Sequence, residues 1–404
     1  MLIARGRSLL LGSILPLALA CSAGAEPTSG AGANSQGGGD QGASGQGANQ
    51  FSGGSGGGVV IPAIGTLSGK VVAPEGTIPI SGALVYLTPT PPPAIPDGVF
   101  CDACVELDNS VPNTFTNPDG TFELQTYLGG PQYLVVQKGQ FRRVRSIDVV
   151  EGPMTADATA TRLPSRMDKA NGDDIPKMAI QAGAYDDILA TLTGLGVDED
   201  QITVFECSGF NCDSAFEDYA TLSQFHIAFV PCSSCNGGTG GEDANIRQFV
   251  AEGGKYYVTD WSYQWMQQPF PGYVTFDESS GDACTLDNYT AQASDMDADL
   301  QAWLAAQGIN NPSFEAAYTY INQLNTVAST DTQGQPVNVT PKTWITGSTP
   351  QGNKPLTVSF EDKCGRVLFS TYHSESSDGL LPQELALLYV ILEVGVCLNV
   401  PVPQ

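Results

Sequence analysis

Positive charge is scarce in this sequence: 17 lysines and arginines stand against 43 aspartates and glutamates, a net charge of −26. Phosphate contacts need clustered Lys and Arg, so nucleic acid and anionic headgroups are excluded as partners, and the acidity reads as solubility outside the cell. Histidine is scarcer still, with His226 and His373 alone. Imidazole chemistry must therefore use one of two residues. His226 sits within the apolar pattern QFHIAFV, which assigns it to the core or to a supporting position, and leaves His373 as the general-base candidate.

Residues 1–20 read MLIARGRSLLLGSILPLALA, with Arg5 and Arg7 ahead of a short apolar run and small residues before Cys21. The run is too short for a membrane span and reads as a signal peptide. The segment LALAC resembles a bacterial lipobox, which implies cleavage before Cys21 and lipid attachment to its sulfur. Two or three acyl chains would make that anchor stable. Residues 21–58 then form the lipidated cysteine and a Gly/Ser-rich tether, too poor in apolar groups to order itself and spanning about 35 Å as a coil. The expected location is the cell envelope, on an outer-membrane lipoprotein facing the periplasm or the exterior.

Over residues 59–152, short alternating segments (GTLSGKVV, GALVYLT, GTFELQT, QYLVVQKG, RRVRSIDVV) are separated by Pro, Gly and Asp-rich turns, the pattern of a small antiparallel β-sandwich. Gly69-Lys70-Val71-Val72, Pro79 to Tyr86 and Thr116 to Phe122 resemble the carboxypeptidase regulatory-like, transthyretin-like domains. Asp119-Gly120 supplies a hairpin turn and Phe122 a core side chain. The resemblance implies a fold and no chemistry, with carbohydrate or protein surfaces as ligands by analogy.

After a connector at 153–174, residues 175–404 alternate apolar strands with helical spacing: PKMAIQAG, a helix from Tyr185 to Leu195, ITVFEC, FHIAFVPC, the helix DANIRQFVAEGG and KYYVTD. Such alternation predicts an α/β domain with a parallel sheet covered on both faces. Two late strands and the helix PQELALLYVILEVG close it, after an insertion at about 275–350. Asp295, Asp297 and Asp299 in that insertion lack the Gly and Glu of a calcium loop, and read as a solvated helix start.

YDDILATLTGLG, FHIAFVPC with NIRQFVAEGGKYYVTDWS, and GRVLFSTYHSE in this order resemble the class I glutamine amidotransferase-like fold, in its ThuA-like branch. The fold class is thus α/β plus all-β, a flavodoxin-like or amidotransferase-like sheet preceded by a sandwich. Enzymes of that fold carry a nucleophile, usually Cys, on an elbow after the central strand, and a His on a later strand. Here the elbow falls at Thr259-Asp260-Trp261-Ser262-Tyr263, without a cysteine and without Gly-x-Ser-x-Gly. A catalytic version would use Ser262 or Asp260 with His373, supported by Glu375. The missing cysteine favours a non-catalytic binding or scaffolding protein, with a saccharide or amide hydrolase as the alternative.

In an exported protein, cysteines are disulfide candidates. Cys207, Cys212, Cys232 and Cys235 fall at strand ends along one sheet edge and are expected to be oxidised, locally or across the two loops. A four-thiolate zinc set is usual in reducing settings, and a nucleophilic Cys232 would be captured by Cys235. Cys101 with Cys104 reads as a short disulfide loop, Cys364 with Cys397 as a pin for the C-terminus, and Cys284 remains over. No cofactor is implied and no metal centre is assigned.

Overall fold

In the computed structural model, the described residues are 62–101, 107–108, 110–208, 211–233, 237–278, 288–374 and 380–393. Cys21, Cys104, Cys235, Cys284, Glu375 and Cys397 lie outside them, as do the signal peptide and the tether.

Two sheets occupy the first half. One is three-stranded, in the order Thr121–Thr126, Gly65–Lys70, Gly152–Thr155; the other is five-stranded, in the order Asn113–Phe115, Leu84–Thr88, Gly130–Lys138, Phe141–Val149, Asp173–Asp174. Alternation decides which side chains face inward: in TFELQT, Phe122 and Leu124 are buried while Glu123 and Gln125 are exposed. They share one core with Leu67, Val85, Leu134 and Val136 of both sheets. Gly120 has φ +80°, and a Cβ there would meet the Val71 carbonyl at 2.4 Å, so the Asp119-Gly120 turn requires glycine. The expected connector is structural: Gly152–Thr155 runs parallel to Gly65–Lys70, and Asp173–Asp174 completes the five-stranded sheet. Arg142 bonds Asp174, while Arg143 and Arg145 share Asp173, all five side chains being largely buried.

The second half is built on a nine-stranded sheet. Its first five strands, Ile202–Phe205, Met178–Gln181, Ile227–Val230, Lys255–Thr259 and Gly365–Ser370, are parallel. Four antiparallel strands follow: Gly352–Asp362, Lys342–Thr349, Tyr289–Met296 and Ser313–Ala317. The expectation of a parallel sheet therefore holds for only part of it. The turn at Lys363-Cys364, with Lys363 at φ +53°, is too short for the crossover a parallel pair needs. The segment expected as an insertion adds three of these antiparallel strands, so it extends the sheet. Its helix Ala298–Ala306 is capped by Asp297, whose carboxylate accepts the N–H groups of Asp299 and Leu300.

The two halves form one continuous body. Their cores merge in a single cluster, and the Trp303 indole N–H donates to the Pro79 carbonyl at 2.6 Å. Cys101 is bonded to Cys364, with the two Cα atoms 5.1 Å apart. This replaces both expected pairings, Cys101 with Cys104 and Cys364 with Cys397. The physical reason is proximity: the Phe100-Cys101 loop lies against Gly253, where an added Cβ would be 1.8 Å from the Phe100 carbonyl oxygen.

Candidate functional site

Parallel register brings four strand ends to one edge. Val230 pairs with Val258 and Thr259 with Ser370, so residues shortly beyond these strands must meet. Cys232 is two residues past its strand, Asp260 one and His373 three. Asp186 follows the strand Met178–Gln181. This is the carboxyl edge where open α/β sheets hold ligands.

The central strand KYYVT is buried throughout, flanked by the helix Asp243–Ala251 and by strands on both sides. It stops because Asp260 turns to φ +40°, starting a short 3₁₀ segment over Asp260–Tyr263. A non-glycine residue in that region is uncommon, and aspartate tolerates it better than most. The strained residue of the elbow is thus Asp260, two positions before the nucleophile candidate Ser262.

Asp260 is fully buried. Its Oδ1 accepts the Thr319 N–H at 2.9 Å, the Thr319 hydroxyl at 2.8 Å and the Tyr318 N–H at 3.3 Å. Its Oδ2 faces His373 Nδ1 at 3.4 Å. Burial pushes the Asp260 carboxyl up to about 6, although His373 and Thr319 oppose the rise. Asp186 is also raised by burial; its carboxylate accepts the Cys232 N–H at 2.7 Å, the Thr259 hydroxyl, and the N–H and hydroxyl of Ser374. It therefore ties together three of the four strand ends.

Ser262 is fully buried too, but its hydroxyl donates to the Pro231 carbonyl at 2.7 Å and lies 3.2 Å from the Ser233 hydroxyl. Its single hydrogen is thus given to a loop carbonyl. Cys232 is a free, buried thiol, so it is not one of the oxidised edge cysteines that the sequence reading expects. Enclosure explains this: burial and the charges of Asp260 and Asp186 raise its thiol well above the usual range, and the Trp261 backbone N–H is turned to the sulfur. Cys207 and Cys212 face each other in register across a short antiparallel pair.

An aromatic row covers the site. The Tyr318 ring stacks on His373, with centroids 5.7 Å apart; Trp261 lies 4.9 Å from Tyr318, and Tyr185 lies 5.5 Å from Trp261. The row runs outward from buried His373 to Tyr185, which is 55% exposed. The buried Trp261 Nε1 has no hydrogen-bond partner. Sequence reasoning missed Asp186, Tyr185, Tyr318 and the reduced state of Cys232. Counting residues past each strand end would have found Asp186, whereas Tyr318 comes from the antiparallel extension and carries no local signal.

His226 stands away from this edge. Its Nδ1 accepts the Lys177 N–H at 2.9 Å, and its Nε2 is 3.0 Å from the Pro96 carbonyl, so the ring joins the sheet to a sandwich loop.

No family model matches the chain, and no curated protein does. Among solved structures, the chain is similar to a β-galactosidase from Rahnella sp. R3, at 14% identity and a TM-score of 0.31, over 58% of this chain and 34% of that one. A ThuA-like protein from Bacteroides uniformis gives 12% identity and a TM-score of 0.32, over 53% of this chain and 89% of that one. An exo-β-1,4-mannosidase from an Opitutaceae bacterium gives 11% and 0.27, over 49% and 31%. The chain spans about a third of the length of the two glycosidases, and likeness of this degree carries no argument about activity.

Proposed function

We propose that this protein is a lipid-anchored protein of the cell envelope whose amidotransferase-like half binds carbohydrate without turning it over. The observation that carries the reading is the aromatic row Tyr185–Trp261–Tyr318 at the carboxyl edge of the sheet, with Tyr185 exposed at its outer end. Flat rings suit the apolar faces of a sugar. The parallel strands support the amidotransferase-like half: in chain order they lie second, first, third, fourth, fifth, the flavodoxin-like order, and the fourth ends in the strained elbow. No described helix is long and apolar enough to cross a membrane, and the attachment proposed is the lipid on Cys21.

Titrating soluble β-linked oligosaccharides while recording tryptophan fluorescence tests the binding. Saturable quenching that Tyr185→Ala weakens at least tenfold is expected. A panel without response, or binding indifferent to Tyr185→Ala, sinks it. For the anchor, Cys21→Ala should move the protein from the membrane fraction to the soluble one, and unchanged fractionation would exclude it.

A second reading, hydrolysis of a saccharide or amide, is favoured by one observation: Asp260 and His373 meet at 3.4 Å on a strained elbow. Turnover that disappears in both Asp260→Asn and His373→Gln would establish it in place of the first.

A further inference from the structure

Beneath the aromatic row, three side chains of different chemistry converge. The Cys232 sulfur, an Asp260 carboxylate oxygen and a His373 ring nitrogen all lie within 4.8 Å of one another, and all three residues are buried. We infer that Cys232, Asp260 and His373 form a binding site for a single transition-metal ion of the zinc class.

The spacing fits such an ion. Bonds of about 2.0 Å to nitrogen and oxygen and about 2.3 Å to sulfur, tetrahedrally arranged, hold ligand atoms roughly 3.3–3.6 Å apart. Asp260 Oδ2 and His373 Nδ1 are already 3.4 Å apart. From within 4.8 Å, the sulfur needs to close by at most about 1.3 Å, within reach of a χ1 adjustment. Thiolate, imidazole and carboxylate together select zinc, or cobalt in its place, over magnesium or calcium, which take oxygen alone.

An independent observation points the same way. Asp260 Oδ2 is fully enclosed and is met by the His373 ring alone, at 3.4 Å, whereas Oδ1 of the same carboxylate accepts three hydrogen bonds. A buried carboxylate oxygen held by one long contact is under-compensated unless something else meets it. Among the described residues, no lysine or arginine pairs with Asp260 or Asp186, so this edge holds one fully buried carboxylate, one partly buried carboxylate and a thiol with one imidazole opposite them. A dication corrects that balance.

The surroundings hold the three groups in place. Thr319 and Tyr318 fix the Asp260 carboxylate, and Asp186 fixes the Cys232 backbone through its N–H. Outer contacts of this kind orient metal ligands. Three protein ligands leave the fourth position of a tetrahedral ion to water or another donor. The inference does not rest on the carbohydrate reading, since sugar binding can fail while the metal binds.

The test uses the full chain, stripped with a chelator and titrated with cobalt(II) alone, then with zinc. One equivalent of cobalt with thiolate-to-cobalt charge-transfer absorption is expected, displaced by zinc. Cys232→Ser should abolish that absorption and weaken binding by about 100-fold or more, since losing a supporting contact alone costs 10–100-fold. Absence of binding, cobalt bound without charge transfer, or charge transfer retained in Cys232→Ser each overturns the site; the last would assign the thiolate to another cysteine. If Cys232→Ser does not fold, Asp260→Asn decides: a weakened, shifted cobalt spectrum is expected, and a spectrum and affinity equal to wild type overturn the site.

Discussion

His226 should make the folded state lose stability between pH 6.5 and 4, through a single buried ring. The Lys177 backbone N–H can only donate, so His226 Nδ1 must carry a lone pair, and the proton sits on Nε2 facing the Pro96 carbonyl. Protonating Nδ1 sets one N–H against another in a site that is 1% exposed. Burial lowers the ring from 6.5 to about 4; the Pro96 carbonyl opposes this, Lys255 and Lys177 add to it, and Asp97 opposes it again. The folded pKa is depressed, so between these values the unfolded chain binds more protons. The contribution is complete above pH 6.5 and is lost as pH falls toward 4. Its size is about 3 kcal/mol, from 2.5 units at 1.36 kcal/mol each.

Acids with raised values work against it in the same window. Burial raises Asp260 to about 6 and Glu242 to about 7, so the folded chain holds their protons more tightly and gains stability as pH falls. The assay must therefore be a difference between wild type and His226→Asn, whose carbonyl can replace Nδ1 but not the bond to Pro96. Urea midpoints by tryptophan fluorescence, converted with the slope, should place the variant about 2 kcal/mol below wild type at pH 7.5, for one lost hydrogen bond and a small void. By pH 4.5 the wild type has given up more than that, so the gap should close or invert. A gap independent of pH refutes the neutral-ring assignment.

Three further perturbations test the packing. Asp173→Ala leaves Arg143 and Arg145 without their shared carboxylate in a largely buried site and should cost about 3–5 kcal/mol in urea unfolding. Cys364→Ser opens a link between residues 263 apart, and the chain-entropy relation gives about 5.6 kcal/mol, read as a lower thermal midpoint that reductant no longer changes. Gly253→Ala places a Cβ 1.8 Å from the Phe100 carbonyl oxygen at φ +114° and should cost about 2 kcal/mol or more; a neutral effect would mean that the sandwich loop does not press on the sheet.

The strands Met178–Gln181, Ile227–Val230 and Lys255–Thr259 were legible because each is apolar along its length, the mark of burial on both faces. The antiparallel extension was not. Tyr289–Met296 alternates buried and exposed residues and is interrupted by a register shift, so its partner is chosen by tertiary packing. Asp260 and His373 were legible as a pair because the elbow and the late strand stand next to each other in the resemblance. Cys232 was misread since Cys235 lies three positions on, and proximity in sequence suggested a bond; which way the thiol turns depends on Asp260, Asp186 and the Trp261 N–H, all non-local.

The bond between Cys101 and Cys364 also sets a timetable. A chain that emerges from its N-terminus presents the sandwich long before residue 364 arrives, so the Cys101 thiol waits, exposed, while some 260 residues follow it. Only when the hairpin Gly352–Ser370 has joined the sheet does a partner stand 5.1 Å away. The early half is sealed by the late one, and a chain interrupted before its last parallel strand keeps an open thiol that marks it as unfinished.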